Sequence, residues 1–269
     1  MGAISTNINV TTIRRCTMNV EVINQQLRQL KLKTAADELK SVLERNKKSV
    51  ALDWLSDLRG RDLDARREVA LQGRIRRARF PEIKSIESFN FSFNKNLDQE
   101  KIKKLTHLDF IVERGVVLFL GQPGTGKTHL GQAIGLKATA QGEPVYWTTM
   151  KGLVTDIKLA KEKNELHLLF KRILQSRLLI IDDWGVITVE RDVAEEIFDL
   201  LDRRKLSSAL LLTSNRAVSE WPEVFPDQII ANATIDRIFD RAEIVEFKGK
   251  SYRLEGEKEI VGDKKKIKK

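Results

Sequence analysis

The stretch Val116–Thr128, VVLFLGQPGTGKT, decides the fold. Five apolar residues, Val116–Leu120, are the length of one buried strand. Gly121-Gln122-Pro123-Gly124-Thr125-Gly126-Lys127-Thr128 comes immediately after and matches G-x-x-x-x-G-K-[ST], the P-loop pattern. Each residue type has a job there. The glycines let consecutive amides turn inward as an anion nest. A helix opening at Lys127 adds unpaired N–H groups and a positive dipole end. The pattern assigns Lys127 to the β- and γ-phosphates of a nucleoside triphosphate and the Thr128 hydroxyl to Mg²⁺. His129, next along the helix, is counted with this cradle.

Three later segments extend the site. Leu178–Ile181 is apolar on both pleat faces, as a central strand should be, and ends in Asp182-Asp183. A buried strand of that kind delivers Asp182 to the sheet edge where Mg²⁺ sits, and Asp183 would orient or polarise the attacking water. Leu210–Thr213 is another apolar strand, leading into Ser214-Asn215. Asn215 would hydrogen-bond the γ-phosphate or the water, or else cap a turn. In Ala233–Arg241, Arg237 and Arg241 are four apart and share a helix face. Arg237 is expected to reach a neighbouring subunit's nucleotide as an arginine finger, with Arg241 as substitute or sensor; an ordinary surface helix is the alternative.

Between these points the texture is regular. Strand-sized runs at Pro144–Thr148 and Ala242–Phe247 join the three above, and helical patterns fill 127–141, 151–175, 188–206 and 231–240. Alternation of this kind predicts an α/β fold with a five-stranded parallel sheet between helices. Before it, Ile23, Leu27 and Leu30, then Leu39, Val42 and Leu43, mark helices with one apolar face. A third helix, from Ala51, is expected to end near Gly60. An Arg-dense helix over 62–79 is then broken by Phe80-Pro81. The expected organisation is a leader (1–20), an all-helical module (21–80), the α/β domain (81–256) and a basic tail (257–269).

Of 269 residues, 48 are Lys or Arg and 38 Asp or Glu, a net charge of +10. The excess lies in the arms: residues 1–80 hold 17 basic against 9 acidic side chains, and Lys264–Lys269 holds five lysines and no acid. That segregation points to an acidic polymer, bound through phosphates with counterion release; solvated charged faces are the alternative, as is an anionic membrane surface, for which no amphipathic apolar anchor is visible. Within the basic N-terminal arm, Arg74, Arg76 and Arg77 are candidate contacts, with a helix that only solvates the module or binds a protein partner as the alternative. No helix-turn-helix or zinc-finger pattern supports base reading, so a nucleic acid partner is expected to be held without sequence preference. No run approaches the roughly 18 apolar residues of a membrane span. One cysteine, Cys16, and the absence of a signal-peptide pattern fit the cytoplasm. Three scattered histidines argue against a His/Cys metal cage.

The order GQPGTGKTHL, LLIIDDWG, LLLTSNRAVSEWPEVFPD and ATIDRIFDRAEIVEFKGKSYRL resembles the IstB family over about residues 24–256. These are AAA+ ATPases encoded beside the transposase of certain insertion sequences, and the helicase loader DnaC is a cousin. The resemblance implies ATP and Mg²⁺ as cofactors and ATP- and DNA-dependent self-assembly. It further implies bending of target DNA, recruitment of the cognate transposase, and hydrolysis that resets the assembly. It assigns Gly121–Thr128 as the phosphate loop, Asp182 to Mg²⁺, Asp183 to the water, Asn215 as sensor and Arg237 as finger, and it turns the helix of Lys151, Lys158, Lys161 and Lys163 toward double-stranded DNA, held without sequence preference. One departure is Asp183, where these ATPases usually carry Glu; the shorter side chain implies slower hydrolysis. A DnaC-like loader acting on a replicative helicase is the alternative, as is a nucleotide-gated DNA clamp without turnover.

Overall fold

The computed structural model describes residues 20–45, 51–94, 96–205 and 207–252, which fall into two compact units, Met1–Gln72 and Gly73–Lys269. All of the expected leader but its last residue, and the lysine tail, lie outside the described residues. So does the stretch from Arg253 to the tail.

The first unit is helical: α1 (20–29), α2 (Lys33–Arg45) and the first part of α3 (Ala51–Ala78). Leu39 and Val42 are fully buried against Ile23, Leu27 and Leu43, as their spacing predicted, and Ala35 joins them. Leu30 is not part of this face. It sits in the turn after α1 and is 68 % exposed. The expected helix end near Gly60 is also corrected, because α3 runs through Gly60 and Gly73 to Ala78. Glycine inside a helix costs only about 1 kcal/mol, and the run of Arg, Leu, Ala and Gln around it favours helix. The true stop is Arg79, at φ 66° just before Phe80-Pro81. A left-handed residue with proline close behind it cannot continue a helix.

The second unit is built on five parallel strands: β1 (Val116–Gly121), β2 (Val145–Thr149), β3 (Leu178–Asp182), β4 (Ala209–Ser214) and β5 (Ala242–Phe247). Their order is β2-β3-β4-β1-β5. Side chains alternate between two cores, as the pleat requires. Leu118, Leu179, Ile181 and Leu212 face one of them, with α7 (Met150–Glu162), α8 (Leu166–Leu174), α9 (Arg191–Lys205) and α10 (Gln228–Phe239). Val117, Phe119, Ile180, Leu211 and Phe247 face the other, with α6 (Lys127–Ala140) and the short helices α4 (Gln99–Leu105) and α5 (Asp109–Val112). Leu178–Ile181 are all fully buried. Each such side chain contributes about 1.5–3 kcal/mol by leaving water.

The single helix expected over 151–175 is two. Asn164 takes φ 55°, and the Glu165 N–H donates to Ala160 O at 2.7 Å, which closes α7 before α8 opens. Asn tolerates the left-handed region better than most residues, so the break falls there.

The strand order builds one functional edge. β3, β4 and β1 are neighbours, so their C-terminal ends bring Asp182, Ser214 and Gly121 together there. Ligands bind at that edge in open parallel sheets. β5 lies on the far side of β1 from β3 and β4.

Candidate nucleotide-binding site

The loop after β1 turns tightly onto α6. Gly126 caps α6 at φ 99° with no side-chain cap, and the first turn carries no acid, so the helix offers its bare N–H groups. A Cβ at Gly126 would stand 2.4 Å from the Phe89 ring. Only glycine permits both that backbone angle and that packing. Lys127 is buried, and its Nζ donates to Gly121 O and Gln122 O, each at 2.8 Å. The Thr125 hydroxyl donates to Gln122 O at 2.8 Å. The loop thus holds its own curvature, with the lysine lying along it.

Across the sheet edge, Thr128 Oγ1 donates to Asp182 Oδ1 at 3.0 Å. Thr213 Oγ1 donates to the same carboxylate oxygen. Asp182 is 4 % exposed. Burial pushes its carboxyl above the ordinary range, opposed by the hydrogen bonds from Thr213 and Thr128. A buried carboxylate beside a hydroxyl is a hard oxygen donor set that suits Mg²⁺. Among the described residues no cluster of three or more His, Cys, Asp or Glu gathers. The remaining ligands of such a cation would therefore be phosphate oxygens and water.

Asp183 is next, in the left-handed region at φ 57°. Its backbone N–H donates to Thr213 Oγ1 at 3.1 Å, and Asn215 Nδ2 donates to its Oδ1 at 3.4 Å. The positive φ swings the Asp183 carboxylate away from the strand and toward Asn215. Thr213 therefore fixes both aspartates. Sequence reasoning misses it, although its place at the end of an apolar strand is a usable signal. Pro123, Gly124, Lys127, Thr128, Asp183 and Asn215 line one crevice of about 750 Å³.

Phe89, Asn90 and Tyr252 line the same crevice, and sequence reasoning misses them too. The turn 85–88 holds His129, whose Nε2 lies 3.0 Å from Ser85 O and 3.2 Å from Ser88 Oγ. His129 thus ties the crevice wall to α6. The three aromatics in Phe89-Asn-Phe91-Ser-Phe93 are the available signal, since their spacing belongs to neither a helix nor a surface loop.

Arg237 is elsewhere. It lies in the last turn of α10, where its Nε donates to Asp202 Oδ1 at 2.6 Å and its Nη1 to Asp236 Oδ2 at 3.0 Å. Its guanidinium rests over the Phe198 ring, 5.8 Å from the centroid. It shares a small cavity with Val116 and Leu210, near the start of β1 and β4, and with Arg241. That is the opposite edge of the sheet, about 20 Å from the phosphate loop for a six-residue strand. Within one protomer Arg237 and Lys127 are not brought together.

The basic residues divide. Lys158 pairs with Glu190 at 2.8 Å, and Lys161 with Asp192 at 3.1 Å and Glu196 at 3.5 Å. Lys151 and Lys163 are exposed, with no ion pair among the described residues. Arg74 Nε donates to Thr139 O at 3.0 Å, which docks the end of α3 on α6. Arg76 and Arg77 remain exposed. Among the described residues no helix is long and apolar enough to cross a membrane.

The family model of the IstB-like ATP binding proteins matches residues 23–260. The chain is 32 % identical over 230 residues to the ATP-binding protein named for insertion sequence IS21 of Pseudomonas aeruginosa, covering 85 % of this chain and 87 % of that one. It is 34 % identical over 197 residues to the counterpart of IS5376 in Geobacillus stearothermophilus, covering 73 % and 78 %. The DnaC helicase loader shares the fold, with a TM-score of 0.50 at 23 % identity over 60 % of this chain and 92 % of that one. The architecture is that of an AAA+ P-loop protein. With a family model matched over most of its length and relatives aligned over most of theirs, the chain belongs to the IstB-like ATP-binding proteins of insertion sequences.

Proposed function

We propose that the protein is an ATP-hydrolysing helper of insertion-sequence transposition, which assembles on double-stranded DNA with ATP and presents that DNA to its transposase. The observation that carries this reading is the division of the site between two edges. Thr128, Asp182, Asp183 and Asn215 converge at one edge, and Arg237 stands at the other. Protomers stacked edge to edge would set Arg237 of one against the phosphate loop of the next.

In that arrangement the N–H groups of α6 and Lys127 hold the β- and γ-phosphates. Thr128 and Asp182 would hold Mg²⁺, which would supply positive charge to the phosphate oxygens. Asp183 accepts a hydrogen bond from the attacking water, and Asn215 keeps that carboxylate in place. Water adds to the γ-phosphorus, the bond to the bridging oxygen breaks, ADP leaves, and the water proton passes to Asp183 or to the released phosphate. Arg237 from the neighbour stabilises charge on the transferring group. The insertion-sequence relatives and the basic arms favour DNA and a transposase as partners. Sizing on a DNA duplex tests the reading. ATP should give a larger assembly than ADP, and identical assemblies with both would contradict it.

A further inference from the structure

We propose that Tyr252 is the base-stacking wall of the nucleotide site, so that the chain just past β5 supplies the purine-binding half of the crevice. This rests on the nucleotide-site reading above and adds where the base lies and what holds it.

The strand order sets the direction of the nucleotide. Asp182, Asp183 and Asn215 come from β3 and β4, on one side of the phosphate loop. A triphosphate with its γ end there must run its ribose and base toward the other side, where β5 lies. The chain leaving β5 passes directly over the loop: the Tyr252 N–H donates to Gly124 O at 2.9 Å. Ser251 packs so closely that a Cβ on Gly124, which has φ 78°, would meet its Oγ at 2.1 Å. The backbone of Tyr252 is therefore anchored to the phosphate cradle itself.

Its ring is positioned as well. Tyr252 and Phe93 meet edge to face, with centroids 4.9 Å apart and planes at 85°. Phe93 belongs to the same turn as Asn90, whose Oδ1 accepts from the Ser92 and Phe93 N–H groups at 3.1 and 3.2 Å. The turn is thus braced from within. Tyr252 still keeps 56 % of its surface exposed while lining the crevice. Phe89, the other crevice aromatic, is spent on packing against Gly126, His129 and Phe91. An exposed ring that is held by its backbone and braced by a second ring has little entropy left to lose when a base stacks on it. Stacking depends on ring area, so purines gain more than pyrimidines.

The test compares the full-length protein with Tyr252→Ala and Tyr252→Phe by calorimetric titration with ADP, UDP and pyrophosphate in Mg²⁺. Wild type should bind ADP more tightly than UDP. Tyr252→Ala should weaken ADP about ten-fold and UDP less, and leave pyrophosphate within about two-fold. Tyr252→Phe should behave as wild type. Unchanged ADP affinity in Tyr252→Ala would overturn the proposal. An equal loss for pyrophosphate would also overturn it, because the residue would then serve only the phosphate loop. Wild-type protein that binds none of the three would instead refute the nucleotide site itself, and the proposal with it.

Discussion

Thr128 Oγ1 and Asp182 Oδ1 lie 3.0 Å apart although 54 residues separate them in the chain. The contact joins the first turn of α6 to the end of β3 and places a hydroxyl and a carboxylate on one side of the phosphate loop. On the proposed reading, the metal–triphosphate pair binds where these two side chains meet.

Asp182 is held above the ordinary carboxylate range because it is buried. A carboxyl whose folded value is raised binds protons more readily folded than unfolded, so its ionisation lowers stability as pH rises. The penalty develops as pH rises from the ordinary carboxylate value through the raised one. Asp182→Asn keeps an acceptor for Thr128 and Thr213 and removes the charge. It is expected to raise the melting temperature of the nucleotide-free protein at pH 7, with the gain vanishing in acid. It is also expected to abolish the Mg²⁺ dependence of nucleotide binding. Thermal scans at several pH values check the first point and titrations with and without Mg²⁺ the second.

Asp183 is set apart from Asp182 by its φ of 57° and its contact with Asn215. Asp183→Asn tolerates the same backbone angle. It should leave ATP affinity within about three-fold and slow hydrolysis by about 10²–10⁴-fold. Asp183→Glu would carry the carboxylate further toward the phosphate, but on a residue less suited to positive φ. Single-turnover phosphate release measures both variants. Loss of binding in Asp183→Asn in step with turnover would remove it as the base.

The lysines of α7 and its C-cap should not act alike on DNA. Lys151 and Lys163 have no ion pair among the described residues, while Lys158 and Lys161 are held by Glu190, Asp192 and Glu196. Replacing Lys151 or Lys163 with Ala should each lower the slope of log affinity against log salt by about 0.9. Lys158→Ala should do less, and Glu190→Gln should tighten binding by freeing Lys158. Fluorescence anisotropy on a duplex between about 50 and 200 mM salt reads these slopes.

Much of the fold and of the phosphate cradle is legible in the sequence, for local reasons. The five strands announce themselves because a sheet buried on both faces demands runs such as Leu178–Ile181, and the phosphate loop because few backbones other than Gly-rich ones form the nest. What escapes depends on tertiary placement. Thr213 reads as the end of a strand until the parallel register sets it beside Asp182. Tyr252 is 128 positions from Gly124, and no local pattern joins them. The break at Asn164 and the continuity of α3 through Gly60 turn on single residues whose preferences are worth only about 1 kcal/mol. Arg237 is marked as an arginine of interest by its helix. Only the fold shows that it stands at the far edge from its own Lys127.

That separation carries the central claim, that a nucleotide held by one protomer is completed by the next. Lys127→Ala should neither bind nor hydrolyse ATP, and Arg237→Ala should bind but hydrolyse poorly. Mixed on DNA, the Arg237→Ala protomers supply intact phosphate loops and the Lys127→Ala protomers supply arginines. The most direct measurement is phosphate release from such mixtures across a range of ratios. Activity well above the sum of the two variants alone, with its maximum near equal amounts, is the expected result. Mixtures that only add the separate activities at every ratio would contradict the shared site.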